Sequence, residues 1–169
     1  AKELDKLPPI ENPNNQLTLF SRTDQTESPA FKKWFGDSKV VDDEGRPMIL
    51  YHGTDANIQE FRDGGGVLGD GIYLTSKTDE ANGYADVRGD GTQGVVYPVY
   101  ASIKNPATVE QAEAIANKDG EGWIRTTLEK QGYDGIIADN GDFVVFRPEQ
   151  IKSAIGNNGD FSPTNPDIR

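Results

Sequence analysis

Three fragments of this chain set reactive side chains beside apolar runs: Tyr51-His52-Gly53-Thr54, Gly71-Ile72-Tyr73-Leu74-Thr75 and Gly141-Asp142-Phe143-Val144-Val145-Phe146. Such runs read as short strands, and strand ends could bring a histidine, a tyrosine and a carboxylate into one cleft. The histidine would offer a hydrogen-bond donor and acceptor, and the tyrosine a stacking surface. A fixed carboxylate stabilises positive charge that develops during a reaction. Taken singly, each also has a plainer reading: a half-exposed strand-end histidine, a core tyrosine, and a turn aspartate after Asn140-Gly141.

The elements that must position these residues follow from turn chemistry and periodicity. Ser28-Pro29 opens a short helix through Phe35, with Gly36 as its terminator. Val40-Val41 and Met48 to Tyr51 flank the Asp43-Glu44-Gly45 turn, a hairpin leading into the histidine fragment. Thr78 to Ala85 reads as a short helix after the tyrosine fragment, and Val95 to Ile103 is the longest strand. Val109 to Ala116 and Gly122 to Gln131 have helical spacing, the second with Trp123, Ile124 and Leu128 on one face. Gly135 to Ala138 and Asp142 to Phe146 form two strands around Asn140-Gly141, a strong hairpin signal. Asp63 to Gly71 lacks the Gly-Lys-Ser/Thr ending of a phosphate loop and the spaced acids of a calcium loop. It reads as a flap over the cleft or as a plain loop.

Composition narrows the function classes. A chain of 169 residues suits one ordinary domain with a real core. A net charge of −11 and a pI near 4.5 disfavour a broad grip on nucleic acid or an anionic membrane. With no cysteine and a single histidine, thiolate chemistry, disulfides and a histidine-rich metal centre are excluded. No apolar run approaches a membrane span, and the first residues carry no signal-peptide core. Residues 1–28 read as a polar linker or N-terminal extension, 29–155 as the folded domain and 156–169 as an irregular C-terminal tail. The polar flanks suggest a domain processed from a longer polypeptide.

Together, the strings FKKWFGDSKVVDDEGRPMILYHGT, GDGIYLTS, YPVYASIKNP, GYDGIIADNGDFVVFRPEQIKSA and NNGDFSPTNPDIR resemble the histidine–tyrosine–glutamate branch of the ADP-ribosyltransferases. That branch includes the poly(ADP-ribose) polymerases and diphtheria-type toxins, and the likeness is in particular to domains of phage and mobile-element polyvalent proteins. The core of the likeness runs roughly from Phe31 to Ala154. It implies an α+β fold: a mixed β-sheet sandwich with a central NAD cleft and short flanking helices. It also implies NAD as co-substrate and no metal.

Carried onto this chain, the resemblance has His52 hydrogen-bond the adenosine ribose and the Gly53 backbone hold the nicotinamide carboxamide, beside Thr54. Tyr73 and Tyr84, eleven positions apart, would sandwich the nicotinamide. Asp142 stands where relatives carry glutamate and would stabilise the oxocarbenium-like ribose as the bond to nicotinamide breaks. Ala81 replaces a serine that helps anchor the carboxamide, a role open to Thr75 or Ser76. Glu149, past Pro148, is an alternative carboxylate. Asn140 takes the place of the first acid in the paired motif of arginine-specific toxins, which disfavours arginine as acceptor.

The implied activity is mono-ADP-ribosyl transfer from NAD to a host macromolecule, protein favoured over nucleic acid, with His52, Tyr73 and Asp142 as the catalytic set. The alternatives are an NAD glycohydrolase and a disabled NAD-binding or interaction module. The expected setting is a monomer in the cytoplasm of the host or recipient cell, not bound to membrane. The resemblance also admits an inhibitor or immunity protein as a partner.

Overall fold

The computed structural model describes residues 25–54, 60–62, 64–85 and 94–169, Tyr84 by its backbone alone. The linker expected over residues 1–28 lies almost wholly outside the described residues. Helix α1, Pro29–Phe35, starts where Ser28 Oγ accepts from the Phe31 amide at 3.1 Å, with proline at its first position. Its buried face, Phe31, Trp34 and Phe35, packs on Tyr100 and Phe161. The Phe31 ring lies 5.1 Å from each of those two, edge to face.

Seven strands follow: β1 Leu50–Thr54, β2 Ile72–Thr75, β3 Val95–Ala101, β4 Pro106–Ala107, β5 Gly135–Ile137, β6 Asp142–Val145 and β7 Ile151–Ser153. They lie in the order β4-β5-β6-β2-β1-β3-β7, antiparallel throughout except for the β4–β5 pair. The layers expected of a sandwich are thus joined as one hydrogen-bonded sheet. The joint is narrow, because β1 and β2 share one registered pair, Tyr51 with Thr75, whereas β1 pairs with β3 along its whole length.

Alternation along the strands decides what each face buries. Leu50, Ile72, Leu74, Val99, Phe143, Val145 and Ile151 enter one core, together with Phe61 and Ile168. The residues between them face the other way, where Val144 and Ile136 meet helices α3, Val109–Asp119, and α4, Ile124–Lys130. Helix α3 opens on a reciprocal cap between Thr108 and Gln111, as its sequence dictates. It runs three residues beyond the expected Ala116.

Trp123 departs from expectation. Helical spacing predicts it on the apolar face with Ile124 and Leu128, yet those two are fully buried while Trp123 is 57% exposed. Residues Glu121–Trp123 form a 3-10 turn, whose tighter winding breaks the helical phase of that face. The last stretch, 156–169, is irregular as its composition suggests, but Phe161 and Ile168 are buried in the core clusters.

Candidate active site

The histidine fragment forms β1 and the tyrosine fragment forms β2, so His52 and Tyr73 flank the narrow joint of the sheet. Beyond the Tyr51–Thr75 pair, His52 Nδ1 bonds the Tyr73 carbonyl oxygen at 2.8 Å, bridging the strands by a side chain. A carbonyl only accepts, so Nδ1 carries the proton and Nε2 of the neutral ring is the acceptor. Burial pushes the His52 imidazole below its ordinary 6.5, with the bond to the Tyr73 carbonyl opposing the shift. The ring is braced from behind by Phe61, edge to face at 4.9 Å.

Tyr51, His52, Gly53, Tyr73, Leu74 and Thr75 line a small cavity of ≈ 90 Å³ at this joint. Gly53 is there for a structural reason that the sequence does not show. Helix α2, Thr78–Ala85, crosses β1 so closely that a Cβ on Gly53 would stand 1.8 Å from the Ala81 carbonyl oxygen. Ala81, in the place of the anchoring serine, is fully buried in that crossing. Thr54 closes β1 opposite Val95. Tyr84 lies in the last turn of α2, and its side chain lies outside the described residues.

The Tyr73 ring faces the helix side, packed in the cluster of Val144 and Phe146. Its hydroxyl donates to the Gly69 carbonyl at 2.6 Å and accepts from the Leu68 amide at 3.2 Å. The glycine-rich loop is therefore folded down on this ring. Gly64 and Gly71 close its base through two 2.9 Å backbone bonds. A Cβ on Gly66 would fall 2.5 Å from the tyrosine hydroxyl, so only glycine permits that approach. The loop's tip, Val67, is 78% exposed.

Asp142 begins β6 after the Asn140-Gly141 turn, and one of its oxygens accepts from Asn140 Nδ2 at 2.9 Å. It is not a wall of the small cavity, but its register partner across β2 is Thr75, which is. Alternation puts Asp142 and Thr75 on the same face as Tyr73. A fourth group, which the sequence does not single out, completes this end: Glu80 in the first turn of α2. Its carboxylate accepts from Thr75 Oγ1 at 3.0 Å and pairs with Lys77 Nζ at 2.9 Å. The Lys77 ammonium, and after it the Thr75 hydroxyl, hold the Glu80 carboxyl below its usual range. The same ion pair raises Lys77. Ser76 turns instead to the Gly141 carbonyl, and Glu149 lines a separate groove with Trp34 and Arg147.

Size alone would point elsewhere. A hollow of ≈ 580 Å³ lies between α1 and the turn around Gly45, but its cations are already paired, Lys32 with Glu27 and Arg46 with Asp42. None of its walls comes from the three fragments. Among the described residues, no group of three or more His, Cys, Asp or Glu is arranged to hold a metal ion. No helix among them is long and apolar enough to cross a membrane.

Residues 42–161 match the sequence family described as ADP-ribosyltransferase in polyvalent proteins. The match spans most of the chain and both strands of the joint, and the chain belongs to that family. It is accordingly an enzyme that uses NAD and transfers ADP-ribose. Comparison with curated proteins gives no match.

Proposed function

Starting from membership of this family, we propose that the chain is a mono-ADP-ribosyltransferase whose NAD cleft is the β1–β2 joint, and whose acceptor is a host macromolecule, most simply a protein. The observation that carries this reading is the His52 bridge. It fixes the neutral ring with Nε2 free of any partner among the described residues, an acceptor suited to a ribose hydroxyl.

The Gly53 backbone is the candidate partner for the carboxamide, and Tyr73 with Tyr84 the candidate stack around nicotinamide. For a ring to reach Tyr73 from the loop side, the Gly66 segment has to lift. Asp142 then faces the ribose from the β6 side, and its charge opposes the positive charge that grows as nicotinamide departs. Thr54 stands at the other end of β1, opposite Val95. The catalytic unit is assigned to 29–155, with the tail packed onto it. An acidic surface at −11 fits a protein acceptor better than nucleic acid. A monomer acting in the host cytoplasm, without membrane attachment, completes the reading.

Asp142→Asn tests the assignment by keeping shape and removing charge. Nicotinamide release should fall ~100-fold or more, with NAD affinity nearly kept. Asp142→Glu asks whether the missing methylene limits the enzyme. Equal turnover in wild type and both variants would refute the role of Asp142. Mass spectrometry of a host lysate incubated with NAD identifies the acceptor, and nicotinamide release without any labelled macromolecule would favour hydrolysis instead.

A further inference from the structure

We propose that Glu80 is a second catalytic carboxylate, placed beside Asp142 so that both face the ribose carbon from which nicotinamide leaves. The inference rests on the reading of Asp142 above. Thr75 and Asp142 are partners across the β2–β6 ladder, and side chains so paired stand about 5 Å apart at Cβ. Thr75 Oγ1 donates to Glu80 at 3.0 Å, so the residue that faces Asp142 across the ladder also holds the glutamate over that end of it. Lys77 pairs with Glu80 at 2.9 Å and also interacts with the Asp142 charge. Two carboxylates and one ammonium leave a net negative charge, fixed by Thr75 instead of riding on a free side chain.

The arrangement answers the shortness of Asp142. That aspartate is tied on one oxygen by Asn140, whereas Glu80, with one more methylene, is held from α2 by the hydroxyl of Thr75, the cross-strand partner of Asp142. In the reaction, the bond from ribose C1′ to the nicotinamide nitrogen breaks and both electrons leave on nicotinamide, which departs neutral. The acceptor's lone pair forms the new bond to C1′, and its proton passes to solvent. With water as acceptor, NAD and water give ADP-ribose, nicotinamide and a proton. Glu80 forms no bond and takes no proton; it supplies charge opposite the ribose as positive charge develops. Its contacts with Lys77 and Thr75 favour the ionised form that this role requires.

The test measures initial rates of nicotinamide release from NAD, with water and with lysate protein as acceptor, for wild type, Glu80→Gln, Glu80→Asp and Asp142→Asn. NAD titration and thermal melting accompany each variant. Glu80→Gln should lose about 10- to 100-fold in turnover with NAD Kd changed less than about threefold. Glu80→Asp, which keeps the charge, should lose less. Wild-type turnover in Glu80→Gln beside a loss in Asp142→Asn overturns the proposal and leaves the Asp142 assignment standing. No loss in Asp142→Asn overturns that assignment itself. Equal losses in both Glu80 variants, with matching falls in melting temperature and NAD affinity, mean that Glu80 only anchors α2, and overturn the proposal.

Discussion

Two glycines, one in β1 and one in the helix that crosses it, should respond to alanine with opposite signs. At Gly53 the added Cβ would meet the Ala81 carbonyl oxygen at 1.8 Å, its carbon at 2.8 Å and the Ala85 nitrogen at 3.0 Å. All three atoms are backbone, so no rotamer change relieves the clash. Restoring ordinary contact needs α2 to retreat from β1 by roughly 1.5 Å. Forced overpacking of a core costs about 1–3 kcal/mol, and a rigid helix against a strand belongs at the upper end. For a chain of this size ~3 kcal/mol corresponds to a melting temperature lower by about 6–12 °C. The retreat would also displace Glu80 and the helical turn bearing Tyr84 relative to His52, and a misplacement of ~1 Å can cost about 100-fold in rate. Gly83 sits in α2 itself, where an added Cβ would meet nothing within 4 Å. There alanine removes the entropic cost of glycine and should stabilise by about 0.5–1 kcal/mol. Thermal melts and nicotinamide release on the two variants decide the matter. A Gly53→Ala protein that melts within about 1 °C of wild type and turns over normally would refute the packing argument.

Two further outcomes follow from the same geometry. His52 is held neutral, with its folded value below the unfolded 6.5, so its contribution to stability is complete above that pH and is lost as pH falls through the folded value. Urea unfolding at about pH 7.5 and about pH 5.5 should therefore show a larger drop for wild type than for His52→Gln, and equal drops would refute the half-buried neutral ring. Tyr73→Phe removes the hydroxyl that holds the glycine-rich loop and should cost about 1–2 kcal/mol locally. The Leu68 amide should then exchange faster with solvent, and an unchanged rate would show that the tyrosine does not hold the loop.

Most of the local structure is legible in the sequence because local chemistry decides it. Ser28-Pro29 and Asn140-Gly141 determine their elements within a few residues, and the three fragments announce the strands that carry His52, Tyr73 and Asp142. What is not legible depends on packing between distant segments. Nothing distinguishes Glu80 in sequence from an ordinary acid in a helix's first turn, where such residues are common for dipole reasons alone. Only the Thr75–Asp142 register brings it to the site. Gly53 can be read as space for a ligand, and the crossing of α2 that demands it is a tertiary fact. Trp123 escapes the helical pattern because a 3-10 turn and an α-turn have different angular steps, and the sequence around Gly122 does not say which one forms.

The two halves of the site are braced by different parts of the chain. Asp142 and Glu80 are held locally, by Asn140, Thr75 and Lys77, within short spans of sequence. His52 depends on the far end. Its ring rests on Phe61, and Phe61 shares the core with Ile168. Glu60 bridges Asp167, so the tail lies along the segment that carries Phe61. The tail is held in turn by Lys152, a nearly buried lysine whose ammonium donates to the carbonyls of Asn165 at 2.7 Å and Asp167 at 2.9 Å. A buried ammonium without acceptors is costly, so the lysine needs the tail as much as the tail needs the lysine. The irregular C-terminal segment thus supports His52, while Asp142 and Glu80 answer to the β2–β6 ladder. Under the proposed roles, disturbance of the tail acts first on the His52 end of the candidate site and only afterwards on its carboxylate end.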